Sequence, residues 1–142
     1  MSEIELYEFI AKSRLGVLST LSLSGKPQSA LVGFAATRSL EIVFDTVASS
    51  RKYANLMAAP DCSFVFGWAG EQTVQYEGRA ELLDGGGGKF YLETYFRVWP
   101  DGRDRLNWPG LVHFVVHPTW IRYSDFDRRP PLIQEFPFPI SA

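Results

Sequence analysis

The sequence predicts a mainly β domain whose strands run antiparallel in a barrel or a sandwich. Short apolar runs with strand-like character recur along the 142 residues, and most are separated by tight turns. Short connections between consecutive strands require antiparallel pairing, because parallel strands need a long crossover. Three short helical segments interrupt the strands without the regular alternation of a doubly wound sheet.

About six segments have the composition of β-strands. They cover residues 15–22, 28–37, 40–46, 62–68, 73–83 and 111–126. The turn signal Ser24-Gly25-Lys26-Pro27 joins the first two into a hairpin with a slightly long loop. We expect the last strand to bend near Pro118, because proline cannot donate a hydrogen bond to a ladder.

Three segments have helical character. Ser2 and Glu5 have the spacing of a capping box, and the apolar residues after them predict a helix from Glu3 to Ser13. The other helices are predicted over residues 49–59 and 89–96. The stretch VWPDGRDRLNWPG is predicted to be a loop, because proline and glycine punctuate it.

One domain spans residues 1–142, and a proline-rich tail begins near Asp127. Proline allows such a tail to lie over a surface but excludes a helix or a central strand. Four glycines, Gly85–Gly88, precede Lys89, but Phe90 stands where a phosphate loop needs serine or threonine, so a flexible connector is expected.

Composition excludes several classes of protein. The net charge of −2 argues against nucleic-acid binding through a basic surface. No apolar run approaches the roughly 20 residues that span a membrane. The acidic, amphipathic N-terminus is unlike a signal peptide. The single cysteine, Cys62, is expected to be buried, and nothing demands oxidation, so we expect a cytoplasmic protein.

The segment from Phe44 to Pro60 carries the clearest chemical signal. A predicted strand ends at Thr46, a helix opens near Ser50, and Arg51 and Lys52 fill its first turn. Cations are disfavoured there by about 0.3–1 kcal/mol each, because a helix N-terminus is already partly positive. An anion such as a phosphate monoester would reverse that effect. An ordinary serine cap with two solvated cations explains the residues equally well.

The order of these elements resembles the FMN-binding split barrels related to pyridoxamine 5′-phosphate oxidase. The resemblance spans Leu15–Gly78 and rests on the strand pair LGVLSTLSLSGKPQSALVGF, the F-x-T…S-R-K-x-x-N-L…P element and the apolar strand that ends at Trp68. Glu77-Gly78 matches a similar pair in the family, and Pro118-Thr119-Trp120 is similar to its smaller members. The resemblance implies a six-stranded antiparallel split β-barrel.

The resemblance also implies a set of FMN-binding residues. The S-R-K group would hold the phosphate with help from the Thr46 hydroxyl, and the second strand's backbone would follow the polar edge of the flavin. Phe44 and Asp45 would lie beside the ring system or the ribityl chain. Thr73 competes with Gln72 and Gln75 for the family's glutamine position, and Trp108 would reach the flavin from a partner subunit. The implied residues are Ser29, Ala30, Leu31, Val32, Phe44, Asp45, Thr46, Ser50, Arg51, Lys52, Thr73 and Trp108.

In the resembled family the flavin lies between two subunits, which implies a homodimer acting on a small molecule. FMN is expected in preference to FAD, because no G-x-G-x-x-G follows a strand. An FMN-dependent oxidoreductase is one functional hypothesis. The alternative is a protein that binds flavin, the deazaflavin F420 or haem without turnover. The chain ends in EFPFPISA, without the family's arginine-containing segment, so oxidation of vitamin B6 is not predicted.

No catalytic residue or metal ligand is predicted. The flavin itself would supply the hydride chemistry, so no acid–base constellation is required. His113 and His117 share a strand face but lie roughly 13 Å apart, too far to chelate one metal as neighbours. A core or surface role is favoured, with haem ligation by one of them as the alternative. Trp99, Trp108 and Trp120 are expected in the core or at a dimer contact.

Overall fold

The computed structural model describes residues 1–84 and 88–138, which form one antiparallel sheet curled into a split β-barrel. The predicted fold class is confirmed. The helices are α1 (Glu3–Ser13), α2 (Arg51–Ala58), α3 (Lys89–Val98) and a 3-10 helix (Pro100–Asn107). The strands are β1 (Leu15–Leu21), β2 (Pro27–Gly33), β3 (Ala35–Ala36), β4 (Ile42–Val47), β5 (Asp61–Ala69), β6 (Gln72–Leu83), β7 (Leu111–Asp125) and β8 (Leu132–Pro137).

Two predicted segments fall partly outside these ranges. They are residues 85–87 of the glycine connector and residues 139–142 of the proline-rich tail. Within the two described ranges, no helix has the length and apolar character needed to cross a membrane.

The long strand β7 organises the sheet, whose order is β2-β1-β5-β6-β7-β4-β3. One edge of β7 pairs with β6 along almost its whole length. The other edge pairs first with β4, over residues 111–116, and then with β8, over residues 120–125. One strand therefore connects the barrel wall to the C-terminal tail.

A bulge divides β7 where the sequence predicts a bend. Glu77 pairs with Trp120 while the next residue, Gly78, pairs with Pro118, so Thr119 is an extra residue on β7. A Cβ atom at Gly78 would lie 2.6 Å from the carbonyl oxygen of His117, which explains the glycine at this close approach. The predicted bend near Pro118 is confirmed.

Residues 1–84 and 88–138 form eight strands rather than about six. Phe34 interrupts the predicted second strand, because its ring turns into the core 4.5 Å from the ring of Phe66 and its N–H donates to the Arg14 carbonyl. The eighth strand lies in the tail, where sequence patterns predicted none. It pairs with β7 and with no other described strand, so it occupies an edge, where proline is tolerated.

The inner core fills the barrel beneath α1. The predicted capping box is present, since Glu5 N donates to Ser2 Oγ at 3.2 Å and Ser2 N donates to Glu5 Oε1 at 3.3 Å. Leu6 and Ile10 of this helix are fully buried against the barrel. Cys62 is also buried, as predicted, and burial raises the pKa of its thiol to about 12.

A second, outer core lies between α3 and the strands β4 and β7. The 3-10 helix, which was predicted to be a loop, is fastened beside it by Arg105. The Nε atom of Arg105 donates to Asp45 Oδ2 at 2.8 Å, and its Nη2 donates to the Tyr95 hydroxyl at 3.0 Å. Burial, followed by the charge of Asp45, raises the pKa of Tyr95 to about 12.

His113 is enclosed in this outer core. Its ring packs edge-on against Tyr95 and Phe96 at centroid distances of 5.6 and 5.7 Å, and its Nε2 has no hydrogen-bond partner among the described residues. Burial lowers the pKa of His113. The negative charge of Asp45 opposes that shift, and the positive charge of Arg105 adds to it. The histidine is therefore a core residue, which is the role that sequence analysis favoured.

The buried His113 predicts a loss of stability below neutral pH. The unfolded chain takes up a proton near the usual histidine pKa of about 6.5, whereas the folded chain does so at lower pH. The free energy of unfolding should therefore fall as the pH drops through about 6.5 and level off below the folded-state pKa. The loss is about 1.4 kcal/mol for each unit of difference between the two pKa values. Urea titrations between pH 7.5 and 5 measure it.

The variant His113→Phe should remove this part of the pH dependence, because phenylalanine fits among the same rings and does not titrate. His117→Gln is the control and should keep the His113 contribution. Equal pH dependence in the wild type and in His113→Phe would contradict the prediction.

Candidate functional site at the first turn of the second helix

The Ser50 hydroxyl joins the end of β4 to the start of α2. Ser50 is the N-cap of α2, and its Oγ accepts a hydrogen bond from Tyr53 N at 3.2 Å. The same oxygen accepts from Thr46 Oγ1 at 2.9 Å. Because a hydroxyl accepts two bonds and donates one, the Ser50 proton remains available to a ligand. Thr46 is itself buried, so its role is to hold Ser50.

Arg51 and Lys52 line a cavity of about 310 Å³ between α2 and the first two strands. The full lining is Leu18, Thr20, Gln28, Ser29, Ala30, Arg51 and Lys52. No carboxylate is among these residues, and the first turn of α2 contains no acidic residue. Within residues 1–84 and 88–138, neither cation forms a salt bridge. No described residue therefore neutralises the positive charge of this turn.

An amide network, which sequence analysis missed, supports the cavity from one side. Gln28 Oε1 accepts from Arg51 Nε at 3.1 Å and from Asn55 Nδ2 at 2.8 Å. Asn55 Nδ2 also donates to Thr20 Oγ1 at 3.0 Å, and both of these residues are buried. Asn55 is part of the S-R-K-x-x-N-L motif and follows Arg51 by four residues, which places both on one helix face. Nothing local to Gln28 indicates its role.

The strand β2 lies at one end of the sheet and pairs with β1 alone among the described strands. Its second edge therefore has backbone groups free for a ligand. Ala30 faces the cavity, whereas Leu31 is 62% exposed on the outer face and Val32 is buried. The hydroxyl of Ser29 lies 3.0 Å from that of Ser19. Contact between this backbone and a flavin stays a prediction.

The structure limits what Phe44 and Asp45 contribute. The Phe44 side chain is fully buried, with its ring stacked on Phe114 at a centroid distance of 5.6 Å, so only its backbone could meet a ligand. Asp45 points to the opposite face of β4, because strand side chains alternate, and it holds Arg105 there. The Phe44 ring belongs to the core and the Asp45 carboxylate is committed to the 3-10 helix, whereas the expectation that these two residues lie beside a flavin stays a prediction.

Thr73 and Trp108 do not line the cavity of their own chain. Thr73 pairs with Gly67 on β5, whereas the β5 residue level with the cavity is Ser63, roughly 13 Å away along the strand. Trp108 is 55% exposed beyond the 3-10 helix. The carbonyl of Gly110 accepts from Ala48 N at 2.7 Å, which ties this loop to the segment before α2. Contact between either residue and a flavin stays a prediction.

The other predicted contact residues are placed as follows. Trp99 is half-buried and its Nε1 donates to the Phe34 carbonyl at 2.9 Å. Trp120 lies on the outer sheet face, where its Nε1 donates to Glu135. His117 is occupied by two carboxylates, with Nδ1 3.1 Å from Glu41 and Nε2 3.4 Å from Glu81.

A second cavity of about 420 Å³ opens on the outer sheet face and adjoins the first through Thr20. Ser63, Asp61 and Glu77 contribute polar groups to its lining. Cys62 also lines it, but its thiol stays protonated at neutral pH because its pKa is raised to about 12. It is therefore not a thiolate nucleophile.

The comparisons with known proteins agree with this architecture. Residues 2–125 match the family model described as pyridoxamine 5′-phosphate oxidase. No curated protein is matched by this sequence. A haem-binding protein from Mycobacterium smegmatis is similar in structure, with a TM-score of 0.81 and 18% identity over 96% of this chain, which spans 58% of that protein.

Two further solved structures share the fold. A pyridoxamine 5′-phosphate oxidase-related, FMN-binding protein from Nostoc punctiforme has a TM-score of 0.73 and 11% identity, over 97% of this chain and 87% of its own. A conserved hypothetical protein from Mycobacterium tuberculosis has a TM-score of 0.75 and 23% identity, over 99% of this chain and 95% of its own. At these identities the likeness shows a common fold, and function depends on the chemistry of the site residues.

Proposed function

This chain belongs to the pyridoxamine 5′-phosphate oxidase family, and from that premise we propose that it binds FMN with the phosphate at the first turn of α2. The observation that carries the proposal is that Arg51 and Lys52 line one cavity, next to the Ser50 cap of α2, and that no carboxylate is among the described residues that line it. A phosphate supplies the missing negative charge at the position where the helix dipole also favours it.

The donors at this site suit a phosphate monoester. The backbone N–H groups of Arg51 and Lys52 have no acceptor within the helix, because they precede its first carbonyls. The Arg51 guanidinium and the Lys52 ammonium add side-chain donors at the cavity, and the Ser50 hydroxyl lies at the N-cap of the same helix. A terminal phosphate has several acceptor oxygens, so it can use these donors together. FAD would need a further surface for its adenylate, and the dinucleotide fingerprint is absent from the sequence.

We further propose an FMN-dependent oxidoreductase that acts on a small molecule. The flavin would supply the hydride chemistry, and the residues of this chain would bind and orient it. The relative from Nostoc punctiforme, which shares the fold, is described as FMN-binding.

The second candidate is a protein that binds haem, flavin or F420 without turnover. The fold similarity to the haem-binding protein from Mycobacterium smegmatis favours haem among these. Against it, His113 is enclosed by aromatic rings and His117 is occupied by Glu41 and Glu81. Neither histidine lines the cavity beside α2 or the second cavity on the outer sheet face. F420 also carries a phosphate, so α2 alone does not separate it from FMN.

The mass of the cofactor that co-purifies with the protein tests the proposal directly. FMN supports it, whereas F420, haem or FAD in its place contradicts it. Reduction of the bound flavin by NADH or NADPH, followed by reoxidation with a substrate, distinguishes an enzyme from a protein that only binds flavin.

The double variant Arg51→Ala/Lys52→Ala should bind FMN much more weakly. Each charged hydrogen bond lost costs about 1.5–3 kcal/mol, which is roughly tenfold to a hundredfold in affinity. Riboflavin, which has no phosphate, should be affected far less. Quenching of flavin fluorescence measures both dissociation constants.

Lys89→Ala/Arg97→Ala is the matched control, because it removes the same two charges from α3, away from the cavity. A folded Arg51→Ala/Lys52→Ala variant that binds FMN as tightly as the wild type would falsify the proposed phosphate site.

We also propose that the protein is a homodimer whose flavin sites lie between subunits. The cavity of about 310 Å³ is at the lower limit for ligand pockets and holds a phosphate with only part of a flavin. A second wall is therefore needed for the large, mostly apolar ring. Val17 pairs with both Leu31 and Val65, so these side chains form an apolar row across the outer sheet face. Leu31 and Val65 are 62% and 40% exposed.

A two-fold partner packed on this face would cover the apolar row in both subunits, because the same patch faces itself across the axis. Such a partner is also the route by which Trp108 would reach a flavin, since Trp108 does not line the cavity of its own chain. Aromatic residues are common at such interfaces.

The variant Leu31→Glu should dissociate the dimer, because it places two charges in an apolar contact around the symmetry axis. Light scattering at low micromolar concentration should give twice the chain mass of 16.0 kDa for the wild type and 16.0 kDa for Leu31→Glu. Leu23→Glu is the matched control, since Leu23 is 78% exposed in the turn between β1 and β2. A wild-type monomer that holds flavin tightly would show the dimer proposal to be wrong.

A further inference from the structure

We propose that Gln28 is an additional phosphate-binding residue that donates from Nε2, and that Asn55 is the positioning residue that fixes its amide. The inference rests on the proposed FMN site and adds a neutral donor to its charged ones. It is carried by the hydrogen bonds among Arg51, Gln28, Asn55 and Thr20.

The chemistry of arginine fixes the orientation of the Gln28 amide. A guanidinium has donors and no acceptor, so the Gln28 atom that lies 3.1 Å from Arg51 Nε must be the carbonyl oxygen. The opposite orientation would place two donors against each other. The assignment therefore follows from the partner and not from the shape of the amide.

Asn55 strengthens the same orientation. Its Nδ2 donates to Gln28 Oε1 at 2.8 Å and to Thr20 Oγ1 at 3.0 Å, so both of its amide protons are used. The Gln28 oxygen thereby fills its two acceptor positions, one with Arg51 and one with Asn55. Because Asn55 is 4% exposed and Thr20 is 5% exposed, this arrangement is held inside the protein and is not a loose surface contact.

The consequence is a free donor at the cavity. With its oxygen committed, Gln28 presents the two protons of Nε2, which have no protein acceptor among the described residues. Gln28 lines the cavity together with Arg51 and Lys52. The Nε of Arg51 is occupied by Gln28, which leaves its two terminal nitrogens for the ligand. A ligand rich in acceptor oxygens is the partner that this set requires. The phosphate of FMN supplies these oxygens, whereas riboflavin has a single hydroxyl group at that position.

The test compares FMN with riboflavin in the variant Gln28→Glu. A carboxylate still accepts from Arg51 and Asn55, but it has no proton to donate and places a negative charge beside the phosphate. We expect the dissociation constant of FMN to rise by about tenfold or more. The constant for riboflavin should stay within about twofold of the wild-type value, because the changed atom faces the phosphate.

Gln134→Glu is a close chemical control. Gln134 Oε1 also accepts from a cation, the Met1 ammonium, and its Nε2 also donates, to the Met1 carbonyl. It lies on β8, far from the cavity along the sheet. This variant should leave the binding of both flavins unchanged.

The role of Asn55 is tested with Asn55→Asp, which removes both protons that hold the Gln28 oxygen. We expect the ratio of FMN affinity to riboflavin affinity to fall in this variant. In the background of Gln28→Ala, the same substitution should have no further effect on that ratio. An additional fall in that background would show that Asn55 acts otherwise than through Gln28.

The outcomes separate this inference from the proposed function. A wild-type protein that does not bind FMN overturns the proposed function. A wild-type protein that binds FMN, with Gln28→Glu binding it equally well, overturns the inference alone. Equal weakening of FMN and riboflavin in Gln28→Glu also overturns it, because the substitution would then act on the fold and not on the phosphate.

Discussion

The hydroxyl of Ser50 sets the direction in which α2 leaves the barrel, and the candidate site depends on that direction. It accepts one hydrogen bond from the side chain of Thr46, at the end of β4, and one from the backbone of Tyr53, in the first turn of α2. These two hydrogen bonds hold the end of β4 against the start of α2, and the helix then runs back over the first two strands. Arg51 and Lys52 then reach the cavity from its first turn, and Asn55 meets Gln28 and Thr20 one turn later.

The side chains on both faces of β4 have structural roles. Phe44 points inward and stacks on Phe114, so it belongs to the core of the barrel. Asp45 points outward and holds Arg105, which fastens the 3-10 helix to the sheet. Side chains alternate between the two faces of a strand, so adjacent residues of β4 point in opposite directions. Phe44 therefore lies in the inner core, and Asp45 lies beside the outer core. The cavity is lined instead by Arg51 and Lys52 of α2 and by residues of β1 and β2.

The same fold is found in proteins described as FMN-binding and as haem-binding, so architecture alone does not decide between these ligands. The choice depends on local chemistry. Around α2 this chain offers cations, hydroxyls and an oriented amide, which are groups suited to a phosphate. Its two histidines are instead engaged in the outer core and with carboxylates. The arrangement therefore supports a phosphate-bearing cofactor more directly than an iron porphyrin.

The sequence by itself determined the features that arise between close neighbours in the chain. The capping box of α1, the bend at Pro118 and the order of Ser50, Arg51 and Lys52 at a helix start are all legible over a few residues. Only the tertiary structure decided how Gln28 meets Arg51, 23 residues away, and Asn55, 27 residues away. It also decided that Phe44 faces the core and that the tail adds β8. The reason is physical: these outcomes depend on strand register and on packing between distant segments, and no local pattern encodes either.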